Sequence, residues 1–557
     1  MTDARPASGS QTVGRRTIPP DRVADYRSRG WWRDRTAVDD FLDRAAEQPD
    51  APAIVSYRQG HTEAQRHTYG ELELLSRRVA AALISLGVGV GDVVSVQLPN
   101  SWEFPAVVYG ILRAGAITNP LVPIFRHREL SFILGRTASK VLIVPDRFRG
   151  HDHAAMALGL FKDVPTLQHV IVVGDATGGA LAFKDLVTKP WEEDPMLDAE
   201  LARRRPDADD LIEIQFTSGT TGEPKGVLHS HNTVYSGGRS VADVYGLTAK
   251  DVCFMASTLS HQTGFSYGLI QPLGMGMKVV YQDLWDAAAT ADIIEAEGVS
   301  WTVAATTFVM DLIAAQRERP RSLASFKYFL CGGAAIPPHV VVEAQEVLGC
   351  ELIALWGMTE NMIVTTTRPG DPASLVADSD GTPLDWMEIR IIDDDGKPVD
   401  VGGVGNLSCR GPSQALGYFH RPDLYAAASP DGDWFDTGDV ARLREDGGIR
   451  ISGRTKDLVI RGGENIPVAE IENVLYTHPA VVEVAVVGVP DERLGERACA
   501  VVVPTPGVAP PTLADLTRFL EEAGMAKQFW PERLELRDSM PKTPSGKIQK
   551  FQLRATL

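Results

Sequence analysis

The sequence predicts an α/β protein: a large N-terminal domain of helix-flanked sheets with a β-rich subdomain, then a small α+β C-terminal domain. Three observations predict it. From about residue 37 helical and strand patterns alternate, which indicates helices packed on mainly parallel sheets. After about residue 380 the texture changes to short strands between turns. Near residues 453–457 the hydrophilic run GRTKD precedes a separate set of helix and strand signals, as expected at a domain boundary. The expected division is a disordered leader at 1–20, a large domain at 21–455 with its β-rich subdomain at about 380–452, and a small domain at 456–557.

The elements follow in order. AVDDFLDRAAEQ opens the helical series, and TYGELELLSRRVAAALISLG carries apolar residues at helical spacing with Gly87 as its stop. VVSVQLPN reads as a strand and residues near 102–114 as a helix, followed by another strand and a helix ending before the apolar run KVLIVP. The alternation continues through VVYQ, WTVAAT, YFLCGG and ELIALWG. In MEIRIIDDDGKPVDVGGVGNLSCRG the segments DDDG and DVGG are strong turn signals between short strands. The last segment has a helix in VAEIENVLYTH, strands in VEVAVVGVP and ACAVVVP, and a helix in LADLTRFLEEA.

Composition excludes several classes. The 557 residues carry 55 Lys and Arg against 73 Asp and Glu, a formal charge of −18. Such a balance opposes nonspecific attraction to nucleic acid or anionic lipid, so a polyanionic ligand must be met by local basic groups. The five cysteines (Cys253, Cys331, Cys350, Cys409, Cys499) are scattered without a CxxC pair, which points to a reducing compartment. The N-terminus MTDARPASGSQTVGRRTIPP lacks the apolar core of a signal peptide, and no apolar run approaches the ~18 residues of a membrane span. A cytoplasmic protein is expected.

At 216–226 the chain reads FTSGTTGEPKG, after the alternating run LIEIQF and before a helical segment HNTVYSGGRSVADVY. A Gly/Ser/Thr-rich turn after a strand offers backbone N–H groups and hydroxyls to phosphate oxygens, with one lysine as counter-charge. It is not a Walker loop, because Pro224 precedes Lys225 and Gly226 follows it. The string TSGTTGxPKG resembles the signature of the adenylate-forming superfamily of acyl-CoA synthetases, luciferases and peptide-synthetase adenylation domains. The resemblance recurs in WGMTEN (356–361), YFHRPDL (418–424), DWFDTGD (433–439), GRTKD (453–457), RGGENIPVAEIE (461–472) and PKTPSGK (541–547). With LSHQTGF and FLCGGAAIP, the chain most resembles bacterial synthetases for short- or medium-chain and alicyclic carboxylates, such as cyclohexanecarboxylate-CoA ligases.

The resemblance implies a role for each motif. Activating a carboxylate with ATP brings two anions together, so catalysis rests on positioning and charge neutralisation at the α-phosphate. Ser218, Thr220, Thr221 and Lys225 would hold the departing phosphates, with Thr217, Gly219 and Gly222 in the same loop. Thr359 would bond the α-phosphate and Glu360 would bind Mg²⁺ through oxygen. Trp356 would stack on adenine beside Gly357, with Gly332, Gly333 and Ala334 bringing backbone close to the base. Relatives often have Tyr at the Trp356 position, so any bond from that hydroxyl is lost here. Asp439 would accept from the ribose hydroxyls, assisted by Arg454. Lys547 would bridge the substrate carboxylate and the α-phosphate. His261 matches a histidine at the acyl-pocket entrance, a structural histidine being the alternative; Thr258 stands where relatives place Pro, and Tyr425 where they place Thr.

Two half-reactions imply a rearrangement. In the resembled family the small domain turns about a hinge, here Lys456, withdrawing Lys547 and bringing in Arg461 for a CoA phosphate and Gly462 and Gly463 for the pantetheine channel. The reaction expected is formation of an acyl-adenylate and then an acyl-CoA thioester, with Mg²⁺ as cofactor and a small carboxylic acid, ATP and CoA as partners, in a monomer or homodimer. Two alternatives stay open: an enzyme that loads a separate carrier protein, and a nucleotide-binding regulator with a decayed site.

Overall fold

The computed structural model describes residues 14–217, 224–333, 336–393, 395–454, 459–461, 464–466, 468–491, 495–525, 527–542 and 548–557. Its helices start where local chemistry tells them to. Ala37–Glu47, Tyr69–Ser85 and His231–Tyr245 begin at Thr36, Thr68 and Ser230, whose hydroxyls accept the backbone N–H of the third helical residue while that residue's side chain returns to the cap. Such reciprocal caps stabilise a helix by about 1 kcal/mol. Gly87, the expected stop, has φ 82° just past the last turn, a conformation that costs other residues strain.

Among the described residues two large sheets dominate. A nine-stranded sheet runs in the order 382–383, 362–366, 351–358, 328–332, 301–304, 252–255, 278–282, 52–57, 65–68, parallel from 351–358 through 52–57. An eight-stranded sheet runs 417–418, 225–230, 211–217, 117–120, 93–96, 141–145, 169–173, 181–182, parallel from 211–217 onward. Both confirm the helix-flanked, mainly parallel architecture read from the alternation. One apolar core joins them, with Ile54, Trp301 and Ile353 from the first sheet and Val94, Ile143 and Ile212 from the second. The helix Glu103–Arg113 contributes to it and is buried along its whole length. At Gly110 an added Cβ would lie 2.4 Å from Val79 Cγ1, so no side chain fits where this helix crosses Tyr69–Ser85.

The β-rich segment forms a four-stranded antiparallel sheet of Glu388–Ile392, Val404–Arg410, Phe435–Leu443 and Ile449–Arg454. The small C-terminal sheet orders 464–466, 459–461, 495–504 and 481–491, with 533–536 parallel to 495–504. Its own core of Ile471, Leu475, Val484, Val486, Ala500, Leu516 and Leu520 lies between this sheet and the helices Val468–Leu475 and Leu513–Glu522.

Three features depart from the sequence reading. The expected leader is in place from Gly14 onward: Arg16 donates from its backbone to Leu416 O at 2.6 Å and from Nε to Ala415 O at 3.2 Å, and the helix Pro20–Ser28 follows. These partners lie about four hundred residues away in the chain, outside the reach of local pattern. Lys225–Ser230 is a strand, antiparallel to Leu211–Thr217, so the glycine-rich string is a hairpin connection. Two short strands, Val459–Arg461 and Glu464–Ile466, pair around the glycines of RGGENI. Among the described residues no helix is long and apolar enough to cross a membrane, and all five cysteines are buried and unbridged.

Candidate active site

The hairpin register Thr217↔Lys225 brings the two ends of the glycine-rich connection together, with Thr217 Oγ1 3.5 Å from Lys225 O. Ser218, Gly219, Thr220, Thr221 and Gly222 lie outside the described residues. On the other side of Lys225–Ser230 the short strand Gly417–Tyr418 pairs through Val227↔Tyr418. Tyr418 is thereby set beside Lys225, whose Nζ lies 4.9 Å from the centre of its ring, within reach of the ring's negative face.

The Tyr418 hydroxyl donates to Glu360 Oε1 at 2.7 Å. Burial, with the negative charge of Glu360 adding to it, raises the Tyr418 hydroxyl far above its ordinary range, so it remains a donor at any working pH. Glu360 and Thr359 sit in the turn that joins the strands Glu351–Met358 and Met362–Thr366. That turn is anchored three ways: Asn361 N donates to Met358 O at 3.1 Å, Ala415 N donates to Glu360 O at 2.7 Å, and His229 Nε2 lies 2.8 Å from Thr359 O. A carbonyl can only accept, which fixes the proton of His229 on Nε2 and leaves Nδ1 facing the Thr233 hydroxyl at 3.0 Å. Burial pushes His229 down to about 4, so it is a neutral structural prop.

The strand before that turn carries Trp356 and Gly357. A Cβ at Gly357 would lie 2.2 Å from Met362 O, so glycine is required for the turn to close. Trp356 is 8% exposed and its Nε1 donates to Asp439 Oδ2 at 2.9 Å. Asp439, 4% exposed, is held on the strand Phe435–Leu443 opposite Arg454; the Arg454 side chain lies outside the described residues. Gly332 closes the strand Tyr328–Gly332, and Gly333 follows at φ 84°; Ala334 lies outside the described residues. Burial, and then the charges of Asp439, Glu360 and Asp436, raise the Cys409 thiol, which places these acids around one region.

His261 caps the short helix Gln262–Phe265, its Nδ1 accepting from Thr263 N at 3.3 Å. A Cβ at Gly264 would lie 2.1 Å from Thr258 O, so with Thr258 in place of Pro the backbone still packs tightly here. Arg461 stands apart on the C-terminal sheet, where its guanidinium holds Glu532 through two bonds of 2.9 Å. Lys456, Gly462, Gly463 and Lys547 lie outside the described residues.

Lys225, Thr359, Glu360, Trp356 and Asp439 thus come from strands or turns of three sheets. Sequence reasoning quoted Tyr418 within YFHRPDL but gave it no role, and passed over His229. Only Tyr418 had a signal, its position at the head of a motif. Among the described residues no group of three or more His, Cys, Asp or Glu side chains could hold a metal ion. A lone carboxylate does suit Mg²⁺, which keeps its waters and takes its remaining oxygens from substrate phosphates.

Two mainly parallel sheets joined by a core, a separate antiparallel sheet delivering an aspartate to the strand ahead of a Thr-Glu turn, and a small C-terminal domain define an adenylate-forming carboxylate ligase. The chain belongs to the AMP-binding enzyme family: the AMP-binding enzyme model matches residues 41–419 and the AMP-binding enzyme C-terminal domain model matches 470–547. It is 33% identical over 541 residues to a medium-chain fatty-acid–CoA ligase of Escherichia coli strain K12, covering 97% of this chain and 93% of the relative. It is 34% identical over 551 residues to a salicyl-AMP ligase / salicyl-S-ArCP synthetase of Mycobacterium tuberculosis, covering 98% and 95%. The crystal structure of an anthranilate CoA ligase in complex with anthranoyl-AMP superposes with a TM-score of 0.83 at 27% identity, covering 94% of this chain and 97% of that one. The chain is accordingly an AMP-forming acid–thiol ligase.

Proposed function

We propose that the protein is an ATP-dependent carboxylate–CoA ligase acting on a compact apolar acid, of medium chain length or with an alicyclic or aromatic ring. RCOO⁻ and ATP give RCO-AMP and pyrophosphate; CoA-SH then gives RCO-S-CoA and AMP with release of a proton. The observation that carries the reading is the Tyr418 array, which sets the lysine of a phosphate loop and an oxygen ligand in the Thr-Glu turn on one buried aromatic residue.

Thr217, Ser218, Gly219, Thr220, Thr221, Gly222 and Lys225 cradle the β- and γ-phosphates. Glu360 holds Mg²⁺, which neutralises phosphate charge when bound. Thr359 bonds the α-phosphate, and Lys547 offsets repulsion while the carboxylate attacks phosphorus, so its effect is greatest in the transition state. Trp356, Gly357, Gly332, Gly333 and Ala334 surround the base, Asp439 and Arg454 the ribose, and His261 the acyl entrance. The small domain, 456–557, turns about Lys456 for the second step. Arg461 then exchanges Glu532 for a CoA phosphate, with Gly462 and Gly463 lining the channel.

The medium-chain fatty-acid–CoA ligase relative supports the acceptor and the apolar acid. The salicyl-S-ArCP synthetase relative favours a second reading, transfer to a carrier-protein thiol. Pyrophosphate release across aliphatic, alicyclic and aromatic acids tests the first step, and thioester formation with CoA against a phosphopantetheinylated carrier decides between acceptors. Absence of pyrophosphate release with every acid would leave the decayed regulator standing.

A further inference from the structure

Trp356 and Asp439 belong to different sheets and meet in a buried contact, indole Nε1 to Oδ2 at 2.9 Å. The polarity of this bond is fixed, because an indole N–H only donates and a carboxylate oxygen only accepts. The backbone of Asp439 is already held, by its N–H to Thr437 Oγ1 at 3.1 Å and by its pairing with Arg454. The indole N–H adds, from the opposite sheet, a directed constraint on the rotation of the carboxylate itself.

We propose that Trp356 is a positioning residue for nucleotide binding, its indole N–H orienting the Asp439 carboxylate toward the ribose hydroxyls of ATP. This rests on the reading of Asp439 as the ribose acceptor. It adds a contribution to the stacking expected of the ring: part of the effect of Trp356 on ATP passes through the sugar, and a packing role alone would be blind to the sugar.

Pyrophosphate release is measured with ATP and with 2′,3′-dideoxy-ATP for the full-length wild type, Trp356→Phe and Asp439→Asn. Trp356→Phe is expected to raise KM for ATP about 10-fold, the low end for a lost hydrogen bond to a charged group, and to raise KM for the dideoxy nucleotide less, by the loss of stacking alone. An equal rise for both nucleotides overturns the proposal. Because Phe is smaller than Trp, a second variant carries a benzothienyl alanine at position 356, which keeps the bicyclic shape and lacks the N–H; it is expected to reproduce the sugar-dependent rise, and wild-type behaviour from it overturns the proposal. If Asp439→Asn leaves the preference for ATP over the dideoxy nucleotide intact, the ribose reading fails and the proposal with it. If Asp439→Asn abolishes that preference and both position-356 variants keep it, only the positioning role fails.

Discussion

Glu360 and Glu213 are both buried acids in the large domain, 8% and 0% exposed, yet the chain treats them in opposite ways. Glu360 receives the Tyr418 hydroxyl, and the Lys225 ammonium lies 4.9 Å from the centre of that ring. Glu213, inside the strand Leu211–Thr217, accepts from Gln262 Nε2 at 2.8 Å, and among the described residues its Oε2 has no hydrogen-bond partner. Burial pushes the Glu213 carboxyl up to about 8. Burial alone therefore does not mark a site. Glu360 is set in a turn beside a tyrosine that also neighbours a lysine, whereas Glu213 has one neutral amide donor and is held protonated inside the core.

The largest effect expected from breaking this contrast is at Glu360. Glu360→Gln removes the charge at nearly constant volume, and acyl-adenylate formation at limiting Mg²⁺ should fall about 100-fold, with transfer from supplied acyl-adenylate to the thiol close to wild type. Single-turnover pyrophosphate release reads the first step; unchanged adenylation would move the metal ligand elsewhere. Next comes Lys225→Met, for which KM for ATP should rise about 10-fold, the scale of one charge-assisted phosphate contact. A KM that stays put would make Lys225 a packing cation on Tyr418.

Tyr418→Phe should cost less, about 5-fold in adenylation, the scale of one ordinary hydrogen bond, since it keeps the ring. Its Mg²⁺ dependence should shift with it. In the double variant Tyr418→Phe/Glu360→Gln the two losses should not add, because the hydroxyl acts through the carboxylate. Full additivity would separate Tyr418 from Glu360 and dissolve the contrast drawn above.

The legible part of this molecule was the part fixed by neighbours in sequence. The helix 231–245 was readable because Ser230 caps it and its apolar face is periodic, and LIEIQF gave the strand Leu211–Thr217 from its alternation. The strand Lys225–Ser230 was not readable. It opens on Lys-Gly after a proline, and its extended state comes from pairing on both edges, with Leu211–Thr217 and with Gly417–Tyr418. The same limit governs the site. TSGTTG, WGMTEN and TGD named their residues through resemblance, but the bonds joining them span 58 residues from Tyr418 to Glu360 and 83 from Trp356 to Asp439. No periodicity encodes a contact between sheets. Arg461 shows the converse, since its ion pair with Glu532, 71 residues on, could not be foreseen from RGGENIP.

The smallest expected effect is on stability, at the other acid of the pair. The folded Glu213 keeps its proton to about pH 8, whereas an unfolded glutamate releases it near pH 4.3. Below that lower value both states are protonated and the group contributes no pH dependence. Between the two values the unfolded chain has lost a proton that the folded chain retains, so stability falls as pH rises, by at most about 1.4 kcal/mol per pH unit. Above about pH 8 the penalty is constant. Glu213→Gln has no proton to lose and keeps the amide partner Gln262, so its melting temperature relative to wild type should rise between pH 5 and pH 8, by about 3 °C on the scale of ordinary domain unfolding entropies. Other titrating groups cancel in the difference between variant and wild type. Thermal melts at pH 5, 6.5 and 8 measure it, with adenylation rates expected to stay near wild type. A difference that does not change with pH would mean that Glu213 is charged in the fold, and the two buried acids would then differ only in their neighbours.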